Sequence, residues 1–464
     1  MNKQNTYPLP EEFVSRIHNQ FGNQADLFLN SLEQEPATSV RVNPLKFEMP
    51  GTSLKTVQWC STGFFLNERP VFTLDPLIHA GAYYVQESSS MFLEQVFRAI
   101  ESHEPRLILD LCGAPGGKST HLLSLMNDDD LLVTNEVIQS RAKILQENIR
   151  KWGAHNLVIC NNDPKDFQRI KGFFDMMVVD APCSGEGLFK RDAAARNEWS
   201  PDNAQLCSVR QRRILADVWP ALKTGGYLIY STCTFNSEEN EENLKWLRTQ
   251  TGFESIRIRL REEWNIDEIE NNGIFAYRFL PHRVNGEGFF ITLLRKTENE
   301  TAFRFPGKLK NADKIPASLS HVKNWITPGS FDFQFFLDMA ILFPERWKNE
   351  LNVIQEFLKV VDFGLPLAES KGKNIVPSHY VALSPLLKKN AFELIDLNLS
   401  EALKFLRKEE VKPASANQGW QLVCFKDIPL GFIKNLGNRT NNYFPKEWRI
   451  RMQTGQAGKL WYNE

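Results

Sequence analysis

Between residues 107 and 296 the chain alternates short, almost uninterrupted apolar runs with stretches of helical periodicity, and no other feature restricts its fold as much. The runs are 107–112 (LILDLC), 131–137 (LLVTNEV), 157–160 (LVIC), 174–182 (FDMMVVDAP), 226–234 (GYLIYSTCT) and 288–295 (GFFITLLR). A strand covered by helices on both faces buries every side chain, so it reads as a continuous apolar run and not as an alternation. Such strands separated by helices predict a mostly parallel, doubly wound α/β sheet. Ile138, Ala142, Leu145, Ile149 and Trp152 form one apolar helical stripe, which Gly153 should stop. Ser200 followed by Pro201 predicts the cap and first turn of another helix. Asn236 with Glu239 three residues on predicts a helix start after the fifth run.

The chain has 464 residues, too many for one ordinary core, and its length predicts about three domains. With 42% hydrophobic and 24% charged residues it has the composition of a globular protein and not of a collagen-like or disordered one. A polar, unperiodic stretch near 296–316 reads as a linker, and the region beyond it has apolar content of its own. The opening MNKQNTYPLPEEF has no apolar core behind a basic start, and no apolar run is long enough to cross a bilayer, so a cytoplasmic location is expected. Seven scattered cysteines without a CxxC pair, and eight histidines without HxxxH or HExxH spacing, predict neither disulfides nor a metal. A formal net charge of −1 means that any affinity for nucleic acid has to come from local basic patches.

The segment DLCGAPGGKST, residues 110–120, lies where the first strand turns into a helix, a place where a glycine-rich backbone can approach a nucleotide-like ligand. A P-loop needs four residues between its first Gly and the GK pair, whereas Gly113 and Gly117 have three between them; the GxGxxG intervals also fail. Glu136 after the second strand is placed to accept from ribose hydroxyls, and Asp163 and Asp180 follow the third and fourth strands along the same carboxyl edge. Glu136 or Asp163 alone is better explained as part of a stabilising turn or helix cap. Together the three acids suit a cationic, hydroxyl-bearing cofactor.

Two cysteines end strands on that edge, Cys183 in DAPCSGEG and Cys233 in YSTCT. A lone cysteine in an apolar strand is usually a small buried hydrophobe, which fits Cys112, Cys160, Cys207 and Cys424 better than these two. The run of YYVQESSS, DLCGAPGGKS, DAPCSGEG, YSTCTFNSEENE and HRVNGEGFF resembles the Sun/nucleolar-protein family of RNA cytosine-5 methyltransferases (RsmB/RsmF type), and within it the bacterial RsmF group acting on 16S rRNA. The likeness extends from Arg41 to Arg295, with SVRVNP at 39–44 similar to the family's upstream segment. One departure, CGAPGGKS, lacks the alanine after cysteine or the threonine after lysine of many relatives, and neither change removes an expected contact.

The resemblance implies a Rossmann-like class I methyltransferase core that uses S-adenosylmethionine, with an N-terminal α+β extension and a C-terminal PUA-like RNA-binding module. It implies cofactor contacts from Cys112, Gly113, Ala114, Pro115, Gly116, Gly117, Lys118, Glu136, Asp163 and Asp180, with Cys233 as nucleophile and Cys183 as second cysteine. Asp180 would hydrogen-bond the cytosine as charge develops on it. Lys190 and Arg191 are candidate phosphate contacts, equally readable as a solvated charged face. The implied division is 1–95 (RNA-binding extension), 96–297 (catalytic), 298–375 (linker and intermediate domain) and 376–464 (PUA-like), in a monomer acting on 16S rRNA or the small subunit. In the last segment, residues 377–379, 419–423 and 430–451 carry the PUA likeness. Lys434, Arg439, Lys446, Arg449, Arg451 and Lys459, against Glu447 and Glu464, interleave there with Phe432, Tyr443, Phe444 and Trp448, which predicts an RNA-binding patch. A tRNA methyltransferase and a non-catalytic ribosome assembly factor are the alternatives. GEG after PCS and the C-terminal module favour 16S rRNA over tRNA, and the paired cysteines with their acids argue against a mere binding protein.

Overall fold

The computed structural model describes residues 7–49, 53–305, 313–372, 374–453 and 460–463. Two helices, Glu11–Phe21 and Ala25–Leu32, precede a small antiparallel sheet of β1 (Thr38–Val42), β2 (Gly63–Leu66) and β3 (Tyr83–Val85) in the order β2-β1-β3. This is the N-terminal α+β region.

The apolar runs become the central strands β4 (Leu107–Asp110), β5 (Leu131–Asn135), β6 (Leu157–Cys160), β7 (Phe174–Asp180) and β8 (Leu222–Thr232). They are parallel and lie in the order β8-β7-β4-β5-β6, the doubly wound arrangement. The order reverses between β4 and β7, and ligands of such sheets bind beyond the carboxyl ends at that switch point. Every residue of β4, β5 and β6 is buried, as two-sided helix cover requires. An antiparallel extension of β9 (Phe253–Ser255), β10 (Asp267–Asn271), β11 (Ile274–Phe279) and β12 (Phe289–Lys296) continues the sheet from β8.

The expected stripe lies on the helix Gln139–Trp152, except for Ile138, which precedes the helix and is exposed; the helix ends where Gly153 takes φ 87°, a left-handed conformation that costs a residue without Cβ little. Ser200 caps the helix Pro201–Val218 by accepting from the Asn203 amide at 3.1 Å. The Asn236 signal is corrected: the helix after β8 is Glu241–Gln250, preceded by Asn240 without a side-chain cap. Asn236 is buried and accepts from the Glu239 amide at 2.9 Å, so the same short-range bond closes a turn in the loop and starts no helix.

Beyond the expected linker, of which residues 306–312 lie outside the described residues, come β13 (Asp313–Lys314), β14 (Phe331–Phe336), β15 (Met339–Pro344), β16 (Val360–Phe363), β17 (Leu365–Lys371) and β18 (Asn374–Pro377). Five of these make a separate antiparallel sheet; β16 instead pairs with β6 and closes the far edge of the central sheet. Arg150 holds that junction, bonding Asp362 and the carbonyls of Phe363 and Gly364. The C-terminal sheet is β19 (Glu393–Asp396), β20 (Gly419–Phe425), β21 (Ile428–Asn435) and β22 (Thr440–Asn442). Val40, Val42 and Tyr83 from the N-terminal sheet share one apolar core with Leu403, Phe405, Ile433 and Phe444. The two ends of the chain therefore pack on each other.

Candidate active site

Two neighbouring parallel strands bring the two cysteines together. In the β7–β8 register Asp180 lies opposite Ser231, so Cys183, three residues on, and Cys233, two residues on, leave the sheet side by side. Their sulfurs are 3.0 Å apart, and the Cys233 amide also points at the Cys183 sulfur at 3.4 Å. The bond to Cys233, with burial next, pushes the Cys183 thiol well above its ordinary value, so Cys183 keeps its proton. The loops are pinned at each step: Ser184 and Thr234 hydroxyls are 3.0 Å apart, and the Gly187 amide donates to the Cys233 carbonyl at 2.9 Å.

A buried carboxylate braces both loops. Glu186 accepts from the Phe235 and Asn236 amides at 2.8 and 3.0 Å, from the Asn236 side chain and Trp199 Nε1 at 3.1 Å each, and from Arg16 at 3.4 Å. The Glu of GEG is thus fully engaged inside the protein and does not face a substrate. Arg16 brings the first helix of the N-terminal region into this brace, and Gln20 adds a bond to the Phe235 carbonyl at 2.8 Å.

Asp180 accepts from Ser231 Oγ at 2.7 Å and pairs with Lys118 at 2.8 Å. Burial pulls the Lys118 ammonium down, but attraction to Asp180 and its other anionic neighbours outweighs that and leaves it raised, hence charged. The glycine-rich turn leads from β4 into the helix Gly117–Leu125. A Cβ on Gly113 would stand 2.3 Å from Thr134 Oγ1, so only glycine permits the turn to sit this close to β5. Asp110, fully buried under the turn, accepts from Ser119 at 2.6 Å with one oxygen and has no partner for the other. Burial, opposed by the Ser119 bond and reinforced by Asp180 and Glu136, pushes its carboxyl up to about 7.

A cavity of about 250 Å³ opens over these groups. Cys112, Gly113, Ala114, Pro115, Gly117, Lys118, Asp180 and Cys233 line it. Gly116, Glu136, Asp163 and Cys183 do not: Cys183 stands behind Cys233, and Gly116 precedes the helix after the turn. Glu136 accepts from the Ile138 amide at 2.9 Å and lies 3.5 Å from Arg141, whose other nitrogen holds the Ala114 carbonyl at 3.0 Å. Asp163 caps the following turn and lies 3.7 Å from Arg213. Of the two candidate cations, Arg191 reaches the cavity wall and lies 3.6 Å from Glu287, whereas Lys190 is buried.

Sequence reasoning missed several supporting residues. Arg41, buried and stacked 4.6 Å over Trp152, bonds Gln86 at 2.8 Å and Thr120 at 2.6 Å, fixing the helix after the glycine-rich turn. Glu87 and Glu287 also line the cavity, and burial with repulsion from Glu87 pushes Glu287 up to about 7. Away from the cavity, Cys60, Glu94 and His121 form a buried trio whose potential ligand atoms lie within 4.8 Å of one another. No sequence spacing announces it. Its members bond one another and the Ser61 amide, and Arg98 pairs with Glu94 at 2.8 Å. In the C-terminal patch, Arg439, Lys446, Arg449 and Arg451 are exposed, while Phe432 and Phe444 are core residues; Lys459 and Glu464 lie outside the described residues.

A doubly wound sheet of this order, with its glycine-rich turn at the switch point, defines a protein with a Rossmann-like core built to bind a nucleotide-like ligand. The particular family follows from the comparisons: the chain belongs to the 16S rRNA methyltransferase RsmB/F family, whose model matches residues 97–295. Models of the N-terminal domain of 16S rRNA methyltransferase RsmF and of the methyltransferase RsmF PUA domain match residues 9–88 and 392–450. The chain is 30% identical to ribosomal RNA small subunit methyltransferase F of Shigella dysenteriae, covering 96% of this chain and 97% of that one. The protein of the same name in Vibrio atlanticus is also 30% identical, over 95% of this chain and 97% of its own length. A crystal structure of a methyltransferase homolog protein from Pyrococcus horikoshii is similar over 63% of this chain and 96% of its own, at 28% identity and a TM-score of 0.53.

Proposed function

We propose that this enzyme methylates carbon 5 of a cytosine in 16S rRNA, in the cytoplasm, with Cys233 as nucleophile, Cys183 as its partner and S-adenosylmethionine as methyl donor. The pair of thiols 3.0 Å apart, with Cys233 in the wall of the cavity that Lys118 and Asp180 also line, carries the reading. The residues fit the cofactor: the glycine cradle tolerates no side chain at Gly113, and the unpartnered Asp110 oxygen and mutually repelling Asp110, Asp180 and Glu136 favour a cation nearby. Cys112 to Lys118, Glu136, Asp163 and Asp180 would hold it. When bound, it supplies the electrophilic methyl group.

Carbon 5 of cytosine is a poor nucleophile until a thiolate adds at carbon 6. The Cys233 sulfur forms that bond, and Asp180, held by Ser231 and Lys118, accepts from the exocyclic amine of the base and so fixes the ring against the sulfur. Once methylated, carbon 5 loses its proton, the bond from sulfur to carbon 6 breaks and the double bond returns. In the free enzyme the largest influence raising Cys183 is its bond to Cys233. When Cys233 is tied up as a thioether that influence goes; Cys183 gives its own proton to solvent and, as the thiolate, takes the carbon 5 proton while the bond from sulfur to carbon 6 breaks and Cys233 leaves as a thiolate. The base has to leave its stack to reach this cavity.

The exposed cations of the C-terminal patch supply the local charge that a net −1 chain needs for RNA. Segments 1–95, 96–297, 298–375 and 376–464 are our working division of a monomer that binds RNA through its two ends, without a metal. Among the described residues no helix is long and apolar enough to cross a membrane. The test is transfer of labelled methyl to 16S rRNA or small subunits from cells lacking the protein, with bisulfite mapping. A single new 5-methylcytosine in 16S rRNA is expected; transfer to tRNA alone would overturn the substrate.

A further inference from the structure

We propose that a second cavity, back to back with the catalytic one across the ring of Tyr84, holds an unpaired nucleobase of the substrate RNA beside the target cytosine. The inference rests on the reading of this enzyme as an RNA cytosine methyltransferase. The second cavity measures about 300 Å³ and lies between the N-terminal sheet and the end of the helix Gln139–Trp152. Tyr84 and Val85 belong to the walls of both cavities. The partition is thin: a Cβ on Gly117 would be 3.5 Å from the Tyr84 ring, and Asn148, in the second wall, donates to the carbonyl of Pro115, in the first, at 2.8 Å. Cavities one side chain apart are within reach of neighbouring nucleotides on one strand.

Three features select a nucleobase. Phe72 and Tyr84, both half-buried, offer flat ring surface, on which a base of any identity can stack. Lys151, paired with Glu147 at 2.6 Å, is the charged side chain in this wall and no carboxylate lines it, whereas Asp180, Glu87 and Glu287 outnumber Lys118 and Arg191 around the catalytic cavity, so a phosphate backbone is tolerated better on this side. Lys151 also lies 5.0 Å over the Trp448 ring, which joins the cavity to the C-terminal basic patch. In the wall, His79 is held by the Thr73 carbonyl at 2.9 Å through Nε2. Burial, with Lys151 nearby, pushes the imidazole down to about 4, so Nδ1 is an acceptor, and the protein leaves it without a partner.

Thr73 is exposed on the rim, so Thr73→Trp plugs the cavity without disturbing the core, and Phe72→Ala removes a ring from it. The probe is a 16S rRNA transcript spanning the bisulfite-mapped cytosine, with abasic substitutions at each flanking nucleotide in turn. One flanking abasic site is expected to raise the wild-type KM about tenfold at unchanged kcat. Thr73→Trp should raise KM for the intact transcript by a similar factor, keep kcat and cofactor affinity, and show no further loss with the abasic RNA; Phe72→Ala should act in the same direction. Wild type that methylates the intact transcript but ignores every flanking abasic site, or an unchanged KM in Thr73→Trp, would overturn the site. No transfer by wild type to the intact transcript would overturn the reading beneath it.

Discussion

Replacing Glu186 by glutamine tests whether the cysteine loops are preorganised from behind. One carboxylate oxygen accepts from the amides of Phe235 and Asn236, and the other accepts from Asn236 Nδ2, Trp199 Nε1 and Arg16. Whichever position the new NH2 group takes, at least two buried donors lose their acceptor and face another donor. Each orphaned donor costs about 1–3 kcal/mol, so the loop loses about 2–6 kcal/mol. The loss is local, and hydrogen exchange reads it directly at the amides of Phe235 and Asn236. Protection there should fall at least about thirtyfold, because 1.4 kcal/mol is a factor of ten. kcat should fall with it while cofactor affinity holds, since the glycine-rich turn lies after a different strand. Glu238→Gln is the control: Glu238 also pairs with Arg16 at 3.1 Å but is only half-buried, and solvent-screened pairs of this kind contribute about 0–1 kcal/mol. Unchanged protection and unchanged kcat in Glu186→Gln would refute the bracing argument.

Asp110, pushed up to about 7 chiefly by burial, is largely neutral below that pH. A bound cation favours its carboxylate and expels the proton, so cofactor affinity should rise with pH up to about 7 and level off above. Calorimetric titration should show this slope in wild type and a shallower one in Asp110→Asn, where Glu287, also pushed up to about 7, still titrates in the cavity wall. Without cofactor the native state holds a proton that the unfolded chain loses near the ordinary value of 3.8, so stability falls as pH rises from there to about 7. Asp110→Asn should lack that fall in denaturant titrations. Gly113→Ala places a methyl 2.3 Å from Thr134 Oγ1; displacing the turn should cost about 1–3 kcal/mol and reduce cofactor binding at least tenfold, measured by the same titration.

The central sheet was legible because two-sided burial writes itself into each strand as an unbroken apolar run, and the ends differ from expectation by only a few residues. The expected fifth run began at 226, whereas β8 starts at Leu222: Lys223, Thr224 and Gly225 are polar or lack a side chain, and no apolar signal marks that beginning. The Asn236 signal misled because the same short-range bond serves a helix cap and a buried turn, and only the surrounding Glu186 and Glu239 network decides between them. Placing the two cysteines on one edge was within reach of the sequence. Their contact was not, since it depends on the β7–β8 register. Pairing of β16 with β6, the core shared by both chain ends, and the bracing by Arg16 and Arg41 all join residues far apart in the chain, which local pattern does not encode.

The central claim is that Cys233 forms a covalent bond to the target cytosine and that Cys183 is needed to undo it. Incubating Cys183→Ala with S-adenosylmethionine and 16S rRNA, followed by denaturing electrophoresis, reads the bond directly. The account predicts a protein–RNA adduct that accumulates in Cys183→Ala and is absent from the double variant Cys183→Ala/Cys233→Ala, with Cys233→Ala alone inactive. An adduct that persists without Cys233, or methyl transfer by Cys233→Ala, would contradict it.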